Sequence, residues 1–380
     1  IYVTFYNANK GYIETVTGYQ YRKILIPQGA KYARVTLLGT GIPTGGYDGT
    51  ASFYTKTFNT YSKITNVDFY DTRTTCMAPS ASNNLLIENC TYTRCAYSIT
   101  RLCVDFEDGA QECQDMYYRN NAVLEHGAET CTVVSCFGYN HIIESCKDHS
   151  VEIRAKVVGG VVRNLDTNNV KWYLGDRKTS GFGRIYNVTT PNLVVDSGMA
   201  DSVEFSVKNC TLTGGWLQTK ADRTTFNNCI IYGINGMDNT FVNCSIVGAC
   251  QLADKWFIYN SKFTPSGNDP QYLSFTSDGK CRYIENCKFY GNTGLVGKIA
   301  FHSGVIRNCE FENVNVVASV DSSQNEVVIE NCKMNSSFET FVQIGPFVYT
   351  CDFVKITFRN CDITHAGDRF IYFYAKPGKD

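Results

Sequence analysis

The sequence has no long apolar run, no excess of charge of one sign and no helical periodicity. No stretch approaches the roughly 20 apolar residues that a membrane-spanning helix requires. The 35 lysine and arginine residues nearly balance the 36 aspartate and glutamate residues. A chain so close to neutral has no general attraction for nucleic acid or for anionic membranes. We therefore expect no membrane insertion, no nucleic-acid partner, and strands rather than helices as the main elements.

Motifs of several common enzyme classes are also missing. No CxxC pair has a second pair at zinc-like spacing, and no Ser-His-Asp or Cys-His combination is recognisable. The glycine pairs at 159–160 and 214–215 predict turns, because neither stands in the context of a phosphate-binding loop. No signal peptide is visible, but the chain begins with Ile1 rather than Met, so we expect a fragment or a processed product.

A six-residue pattern recurs along the chain: apolar, variable, Asn, Cys, variable, apolar. Two further copies carry Val67 and Ser261 in place of the Cys, and weaker copies surround Asn120, Ser145, Asn164 and Asn187. Successive copies lie about 22 residues apart, which is the period of a solenoid whose units bury their apolar faces against each other. The complete copies are 87–92, 207–212, 226–231, 241–246, 284–289, 306–311, 329–334 and 358–363.

Each copy of the pattern reads as two short strands joined by a bend. In the copy at 284–289, strand alternation puts Ile284 inside, but the alternation breaks at Asn286. A residue in the left-handed conformation restores the phase, and Asn tolerates that conformation better than other non-Gly residues. We expect Cys287 to point inward after the bend. We also expect stacked Asn side chains to hydrogen-bond along the solenoid and to satisfy buried polar groups.

The chain contains 18 cysteines, about half of them at the one repeat position. Such a number is typical of disulfide scaffolds, but those are far shorter chains. Free cysteine is among the most buried residue types, so we predict a column of free, buried thiols. Adjacent coils about 4.8 Å apart are close enough for an occasional disulfide, and that alternative stays open.

The coil length, the short strands and the turn residues predict an all-β chain with a single-stranded, right-handed parallel β-helix of about 14 rungs. The Asn ladder resembles that of the pectate-lyase-like β-helix superfamily, over roughly residues 61–363. That resemblance implies the fold and no particular activity. We divide the chain into a small β module or cap at 1–50, the β-helix at 51–365, and a C-terminal strand and tail at 366–380.

The two ends differ from the repeat. Residues 2–5 and 23–38 predict strands with a turn, followed by a glycine-rich linker at 39–46. The Ile-Pro-x-Gly-Ala-Lys-Tyr segment at 26–32 resembles modules of phage and prophage tail proteins, of tail-spike or tail-fibre type. The aromatic strand at 370–374 is expected to close the last rung or to form an oligomer contact.

The densest group of carboxylates is the catalytic candidate. If Phe106 points inward, Asp105 and Glu107 project from one outer face about 7 Å apart, and Asp108 follows at a turn. Such a group suits cleavage of a glycosidic bond by an acid and a carboxylate, with His126 as a further candidate. It also suits Ca²⁺, which prefers oxygen ligands. The alternative is an acidic, solvated turn.

A second set of residues from the same degenerate region is expected to bind ligand. Aromatic rings on the outer face stack on sugars, and charged or imidazole groups bond to hydroxyls. For the aromatic residues the alternative is stacking in the core or along the rungs, and for His126 and His141 it is a surface or turn histidine. The candidates are Arg119, Glu125, His141, Arg154, Tyr139 and Trp172, with Tyr117 and Tyr173 as further aromatic residues.

Three functions follow from these observations. The resemblance to phage and prophage tail proteins implies a tail-associated protein that binds cell-surface polysaccharide. Some members of that group also cleave the polysaccharide. The resemblance also implies a virion or extracellular location and a homotrimer, as in tail spikes. A free-standing secreted polysaccharide lyase or glycoside hydrolase is the first alternative, and a purely structural solenoid is the second. A groove around the carboxylates favours the enzyme, whereas a flat face with exposed aromatic residues favours adhesion.

Overall fold

The computed structural model consists of β-strands joined by turns and falls into two compact units, Ile1–Arg184 and Ile185–Asp380. In the described part of the chain, no helix is long and apolar enough to cross a membrane. The structure describes residues 2–17, 27–36, 62–72, 75–79, 82–95, 102–106, 113–126, 132–136, 140–146, 150–153, 159–173, 180–196, 202–214, 217–220, 223–237, 239–253, 257–264, 272–274, 283–291, 297–301, 304–319, 325–336, 340–345, 354–366 and 369–373.

The first unit begins with a three-stranded antiparallel sheet. Its strands are β1 (Tyr2–Tyr6), β2 (Tyr12–Thr17) and β3 (Tyr32–Thr36), in the order β2-β1-β3. A turn precedes β3, where the Ala30 amide donates to the Pro27 carbonyl and Gly29 has a φ of 84°. Cα atoms of β3 lie within 8 Å of Cα atoms of β5, the second strand of the solenoid. β1 and β3 lie in the segments where the sequence predicted strands, whereas β2 was not predicted. The bounds of a separate module at 1–50 and its role as a cap stay predictions.

The rest of the first unit is a parallel solenoid with three strand ladders. The ladders are β4-β6-β9-β12-β14, β5-β7-β10 and β8-β11-β13-β15. Each strand therefore pairs with its counterpart one coil later. The strands are β4 (Ser62–Thr65), β5 (Asp68–Tyr70), β6 (Leu85–Glu88), β7 (Thr91–Cys95), β8 (Leu102–Phe106), β9 (Tyr117–Arg119), β10 (Ala122–His126), β11 (Thr132–Cys136), β12 (Ile142–Glu144), β13 (Ser150–Ile153), β14 (Gly160–Asp166) and β15 (Asn169–Tyr173).

The second unit repeats this arrangement with a more regular sequence. Three parallel ladders run to β37, β38 and β39, each strand pairing with the equivalent strand of the next coil. The unit boundary falls within β16 (Ser180–Thr190). Its further strands are β17 (Leu193–Asp196), β18 (Ser202–Lys208), β19 (Thr211–Leu212), β20 (Leu217–Lys220), β21 (Arg223–Asn227), β22 (Ile230–Met237), β23 (Asn239–Val242), β24 (Ser245–Ala253), β25 (Phe257–Tyr259), β26 (Lys262–Thr264), β27 (Tyr272–Ser274), β28 (Tyr283–Glu285), β29 (Lys288–Tyr290), β30 (Gly297–Phe301), β31 (Gly304–Arg307), β32 (Glu310–Glu312), β33 (Val314–Ser319), β34 (Asn325–Glu330), β35 (Lys333–Ser336), β36 (Thr340–Gly345), β37 (Val354–Arg359), β38 (Asp362–His365) and β39 (Arg369–Phe373).

The predicted all-β parallel solenoid is thus confirmed, while its right-handed sense and the count of about 14 rungs stay predictions. The C-terminal aromatic segment pairs in parallel with β36, so β39 continues the third ladder as the last strand described. Ile371 lies beside Val342 and Phe373 beside Ile344. Closure of the last rung, the first of the two roles expected for this segment, is therefore the one that its pairing supports.

The repeat Asn residues adopt the left-handed conformation that the sequence predicts. Their φ values lie between 48° and 57°, as does that of Ser145, which replaces Asn in a degenerate coil. The bend returns the chain to strand phase, so the following residue points inward. The bends are at Asn66, Asn89, Asn120, Ser145, Asn164, Asn187, Asn209, Asn228, Asn243, Asn260, Asn286, Asn308, Asn331 and Asn360.

The Asn side chains form a ladder, but it does not lie where the sequence interpretation placed it. Asn228 Nδ2 donates to Asn209 Oδ1 at 2.9 Å, and Asn286 Nδ2 donates to Asn260 Oδ1 at 3.2 Å. These side chains are exposed, so the prediction that they satisfy buried polar groups is wrong. At the bend the chain turns outward, and the Asn side chain projects into solvent.

Aromatic and aliphatic side chains form columns inside each unit. In the second unit the ring centroids of Phe263 and Phe289 are 4.8 Å apart, and those of Phe289 and Phe311 are 4.9 Å apart. These distances match the spacing of neighbouring strands, so each ring stacks on its counterpart one coil away. This stacking from one coil to the next, perpendicular to the strands, supplies the core that a single coil lacks.

The described cysteines are free, as predicted, and all but Cys361 are buried. Burial raises the pKa of Cys90 to about 11 and that of Cys146 to about 12. The thiol is therefore the form present at neutral pH, and nucleophilic chemistry at these positions is disfavoured, in agreement with the sequence analysis.

Candidate functional site

The predicted carboxylate group is only partly within the described residues. Asp105 lies in β8 between Val104 and Phe106, and both of these neighbours are fully buried. Phe106 thus points inward as predicted, and Asp105 is half-buried. Glu107 and Asp108 lie outside the described residues. In the described part of the chain, no group of three or more His, Cys, Asp or Glu residues is arranged to hold a metal ion.

Three of the other candidates have no described side chain. His126 is the last residue of β10, and only its backbone is described. Tyr139 and Arg154 lie outside the described residues altogether. Tyr117, one of the further aromatic candidates, points outward as predicted, with 39% of its surface exposed.

Two of the predicted binding residues belong to the core instead. Trp172 has no exposed surface, because it shares the inward phase of β15 with Val170. His141 is also buried, and its ring centroid is 5.6 Å from that of Phe106. Neither side chain presents a face to a ligand in solution. The outward placement of Trp172 predicted from the sequence is therefore wrong, and the alternative of core packing holds for this residue. His141 is in the core as well, so the alternative of a surface or turn histidine does not hold for it.

Arg119 takes part in an ion-pair column rather than in a binding group. Its Nε lies 2.7 Å from Glu88 Oε1, on the neighbouring strand of the first ladder. On the other side its partner in register is Glu144, which is paired in turn with Arg163. Charges of alternating sign occupy the residue before the bend in four successive coils. This arrangement neutralises Arg119 and fixes its position along the strand.

The described structure brings a different group of polar side chains together, and it includes Glu125. Asp71, Arg94 and Glu125 come from three successive coils, at the ends of β5, β7 and β10. Tyr70 precedes Asp71, and 45% of its surface is exposed. We call Tyr70, Asp71, Arg94 and Glu125 the Tyr70 cluster. It is the meeting point of an exposed aromatic ring, a guanidinium and two carboxyls.

Arg94 holds the Tyr70 cluster together. Its Nε lies 2.7 Å from Asp71 Oδ1, and its Nη2 donates to Asp71 Oδ2 at 2.7 Å. Nη2 also donates to the Tyr70 hydroxyl, and the guanidinium carbon lies 4.4 Å from the centre of the Tyr70 ring. The two-point contact with Asp71 fixes the guanidinium in place. Because the guanidinium covers one face of the Tyr70 ring, the opposite face is the one that can stack on a ligand.

The backbone of this region is shaped around the same residues. Arg94 and Asp71 both have positive φ, 51° and 52° respectively, which is uncommon for these residue types. The amide of Asp71 donates to the Thr93 carbonyl at 3.0 Å. Between β10 and β7 the register shifts on both sides of Glu125. The positive φ angles of Asp71 and Arg94 and the bulge at Glu125 take these three residues out of the regular strand pattern.

The charges of the Tyr70 cluster act against one another. Loss of water around Asp71 and the negative charge of Glu125 raise the pKa of the Asp71 carboxyl. The paired Arg94 guanidinium favours the ionised form of the same carboxyl. Asp71 accepts hydrogen bonds from Arg94, which supplies the donors of the cluster.

The sequence contained a signal for this cluster that the motif search missed. Asp71, Arg94 and Glu125 each follow the last inward apolar residue of their copy of the pattern by two positions, after Phe69, Tyr92 and Val123. Equal offsets in successive coils place side chains in one column. Alignment of the coils therefore groups these three charges, of which the sequence analysis had named only Glu125 as a candidate.

Comparison of the chain with protein-family models, with curated proteins and with solved structures found no match. The resemblance to pectate-lyase-like β-helices and to phage tail proteins thus stays a prediction from the sequence. The parallel solenoid and the geometry of the Tyr70 cluster are the observations from which a function can be argued.

Proposed function

We propose that this protein is a solenoid of the phage or prophage tail type that binds a cell-surface polysaccharide through the Tyr70 cluster. The observation that carries the proposal is the exposed Tyr70 ring beside a guanidinium that Asp71 holds in place. The tail association is supported by the segment at 26–32 and by the solenoid itself. The cell-surface polysaccharide is the proposed partner, and the protein would bind it outside the cell or as part of the virion.

The chemistry of the Tyr70 cluster suits a sugar. The apolar face of a pyranose ring packs on an aromatic face, and its hydroxyls need donors and acceptors beside that face. Arg94 provides N–H donors, and Asp71 and Glu125 provide carboxylate acceptors. Since the ion pair fixes the Arg94 side chain before a ligand arrives, binding costs little side-chain entropy.

The surroundings of the cluster suit a long polymer better than a small molecule. Tyr70, Thr93 and Glu125 are neighbours across three parallel strands of one sheet. The exposed side chain of Leu124 lies on the same strand as Glu125. A sheet surface with an exposed ring is the arrangement that favours adhesion over catalysis. Secreted lyase or hydrolase activity, and a purely structural role, are the alternatives that the experiment separates.

Binding to purified capsular and cell-wall polysaccharides, measured by calorimetry, tests the proposal. Loss of ring stacking in Tyr70→Ala, or of the donors in Arg94→Ala, is expected to weaken binding about tenfold, since each contact contributes roughly 1–2 kcal/mol. The matched control is Tyr232→Ala, which removes a tyrosine of similar exposure, 40%, from the second unit. It is expected to bind like the unchanged protein.

The same incubations are assayed for new reducing ends and for unsaturated ends. Release of either by the unchanged protein would favour the enzyme over simple adhesion. Equal weakening in Tyr70→Ala and Tyr232→Ala would contradict the assignment to the Tyr70 cluster. If no polysaccharide binds at all, the structural solenoid is the function that remains.

A further inference from the structure

We propose that Cys76 and Cys103 form a disulfide when the protein folds in an oxidising compartment. Both residues lie in the first unit and outside the column of repeat cysteines. Both are buried, with at most 2% of their surface exposed. The cross-link is independent of the proposed function, because it is argued only from the positions of the thiols and of the backbone around them.

The backbone places the two residues side by side. Met77 and Val104 form a parallel bridge, so the residues before them are also neighbours. The Cys76 amide donates to the Cys103 carbonyl at 2.9 Å, and the Met77 amide donates to the same carbonyl at 3.1 Å. Neighbouring strands are about 4.8 Å apart, within the range of Cα separations that a disulfide spans. Both side chains point into the core.

The Cys76 thiol has unusual neighbours. Its sulfur and Thr72 Oγ1 are 2.9 Å apart and share a hydrogen bond. Burial opposes ionisation of Cys76, but hydrogen bonds with the thiols of Cys103 and Cys95 outweigh it and lower the pKa of Cys76. The hydrogen bond between the Cys76 and Cys103 thiols shows that their two sulfurs face each other.

Cys95 is the other thiol near Cys76, and its bonds argue against it as the partner. Cys95 Sγ donates to the Phe69 and Thr93 carbonyls, both at 3.5 Å. The thiols of the repeat column bond in the same way, each to the carbonyl two residues before it, as Cys90 does to Glu88. Oxidation of Cys95 would leave these buried carbonyls without that donor. The backbone adjacency favours Cys103.

The reaction needs a disulfide as oxidant, either a small one such as glutathione disulfide or a protein disulfide. The Cys76 thiolate attacks one sulfur of the oxidant and releases a thiolate. The Cys103 thiolate then attacks the Cys76 sulfur of the mixed disulfide and releases the second thiolate. One Sγ–Sγ bond forms, the oxidant is reduced by two electrons, and two protons leave the protein thiols.

The disulfide would close a loop that carries one residue of the Tyr70 cluster. Its loop from 76 to 103 contains β6 and β7, and therefore Arg94. Thr72, the hydroxyl neighbour of Cys76, directly follows Asp71. The cross-link would restrict the unfolded chain and hold these coils in register.

Mass spectrometry of the whole protein made in two ways tests the proposal. One preparation is exported to an oxidising periplasm, and the other is kept in a reducing cytosol. Both are denatured without reductant, alkylated and digested. We expect a cross-linked peptide pair containing Cys76 and Cys103 in the exported protein, and alkylated thiols at both positions in the cytosolic protein.

Two variants make the outcome specific. Cys103→Ser is expected to lose the cross-link and leave Cys76 alkylated, whereas Cys309→Ser, a repeat-column control in the second unit, is expected to keep it. The exported protein should also melt several degrees higher than the same protein after dithiothreitol. A Cys76–Cys95 peptide, or alkylated Cys76 in the exported protein, would overturn the assignment.

Discussion

At the scale of single residues, the repeat cysteine is a hydrogen-bonding residue rather than only a small apolar one. Each described repeat thiol donates to the carbonyl two residues before it, as Cys309 does to Arg307 at 3.1 Å. The sulfurs of Cys309 and Cys332 also accept from the amide one coil earlier, that of Cys287 at 3.4 Å and that of Cys309 at 3.5 Å. Ser261 and Asn121 occupy the same position and take the same amide, those of Cys244 and Cys90. The bend leaves this amide inside, so the position demands an acceptor.

Two substitutions of similar size at Cys309 are expected to lower the free energy of unfolding by different amounts. Cys309→Ser keeps a donor and an acceptor, as Ser261 shows, and is expected to lower the free energy of unfolding by less than about 1 kcal/mol. Cys309→Val leaves the Cys287 amide and the Arg307 carbonyl without these bonds. It is expected to cost about 2–4 kcal/mol in urea unfolding. Equal costs for the two variants would show that only apolar volume matters here.

At the scale of elements, the strands before the bend are aligned by a column of alternating charge. In the second unit, Arg307 lies between Glu285 and Glu330 in register, and Arg307 Nε is 3.0 Å from Glu330 Oε2. Arg359 follows Glu330 one coil later. If a strand paired with the strand two coils away instead of its neighbour, like charges would lie side by side. The alternation of charge therefore destabilises such a wrong pairing. The contribution is modest, because these side chains are well exposed.

Reversal of one charge in this column tests its role. Arg307→Glu places a third carboxylate between Glu285 and Glu330, and we expect a small but measurable fall in the free energy of unfolding at low salt. Because exposed charges are screened, much of that loss should disappear at about 1 M NaCl. Arg307→Gln is the control for the loss of the ion pair alone. An effect of Arg307→Glu that does not change with salt would point to packing instead of charge.

At the scale of the whole molecule, the core contains titratable groups in unusual number for a buried interior. Besides the thiols, Tyr92 and Tyr118 are fully buried in the first unit, and burial raises the pKa of both hydroxyls well above the usual range. Cys90, Cys146, Tyr92 and Tyr118 are neutral in the folded protein near neutral pH. Their ionisation in the unfolded chain therefore favours unfolding at alkaline pH.

We expect the contribution of Cys90 and Cys146 to stability to be constant up to about pH 9 and to fall above it. Between about pH 9 and 11 the unfolded chain releases the proton of Cys90 or Cys146, and the folded protein keeps it, since folding raises the pKa of these thiols to about 11 and about 12. Each thiol then costs about 1.4 kcal/mol per pH unit. Urea unfolding at several pH values measures the slope.

The matched variant for this measurement is Cys90→Ser. It removes one titrating thiol and is expected to reduce the slope by about 1.4 kcal/mol per pH unit, without changing the pH at which the fall begins. A stability that stays level to about pH 11 would contradict the burial of neutral thiols in the core.

The sequence by itself determined the parallel solenoid, the left-handed Asn bends and the free, buried thiols. Each follows from a pattern of about six residues repeated at a nearly constant period, and local sterics decide the backbone of such a unit. The inward placement of Phe106 followed from strand alternation in the same way. These features depend on neighbours in sequence, and the sequence shows those neighbours.

Only the tertiary structure decided which side chains from different coils meet. Trp172 is in the core because the phase of β15 places it beside Val170 on the inward face. The Tyr70 cluster and the Cys76–Cys103 neighbours exist because bulges and irregular coils set the register between distant segments. Where the repeat degenerates, its period no longer gives the register, and the packing of one coil on the next determines it.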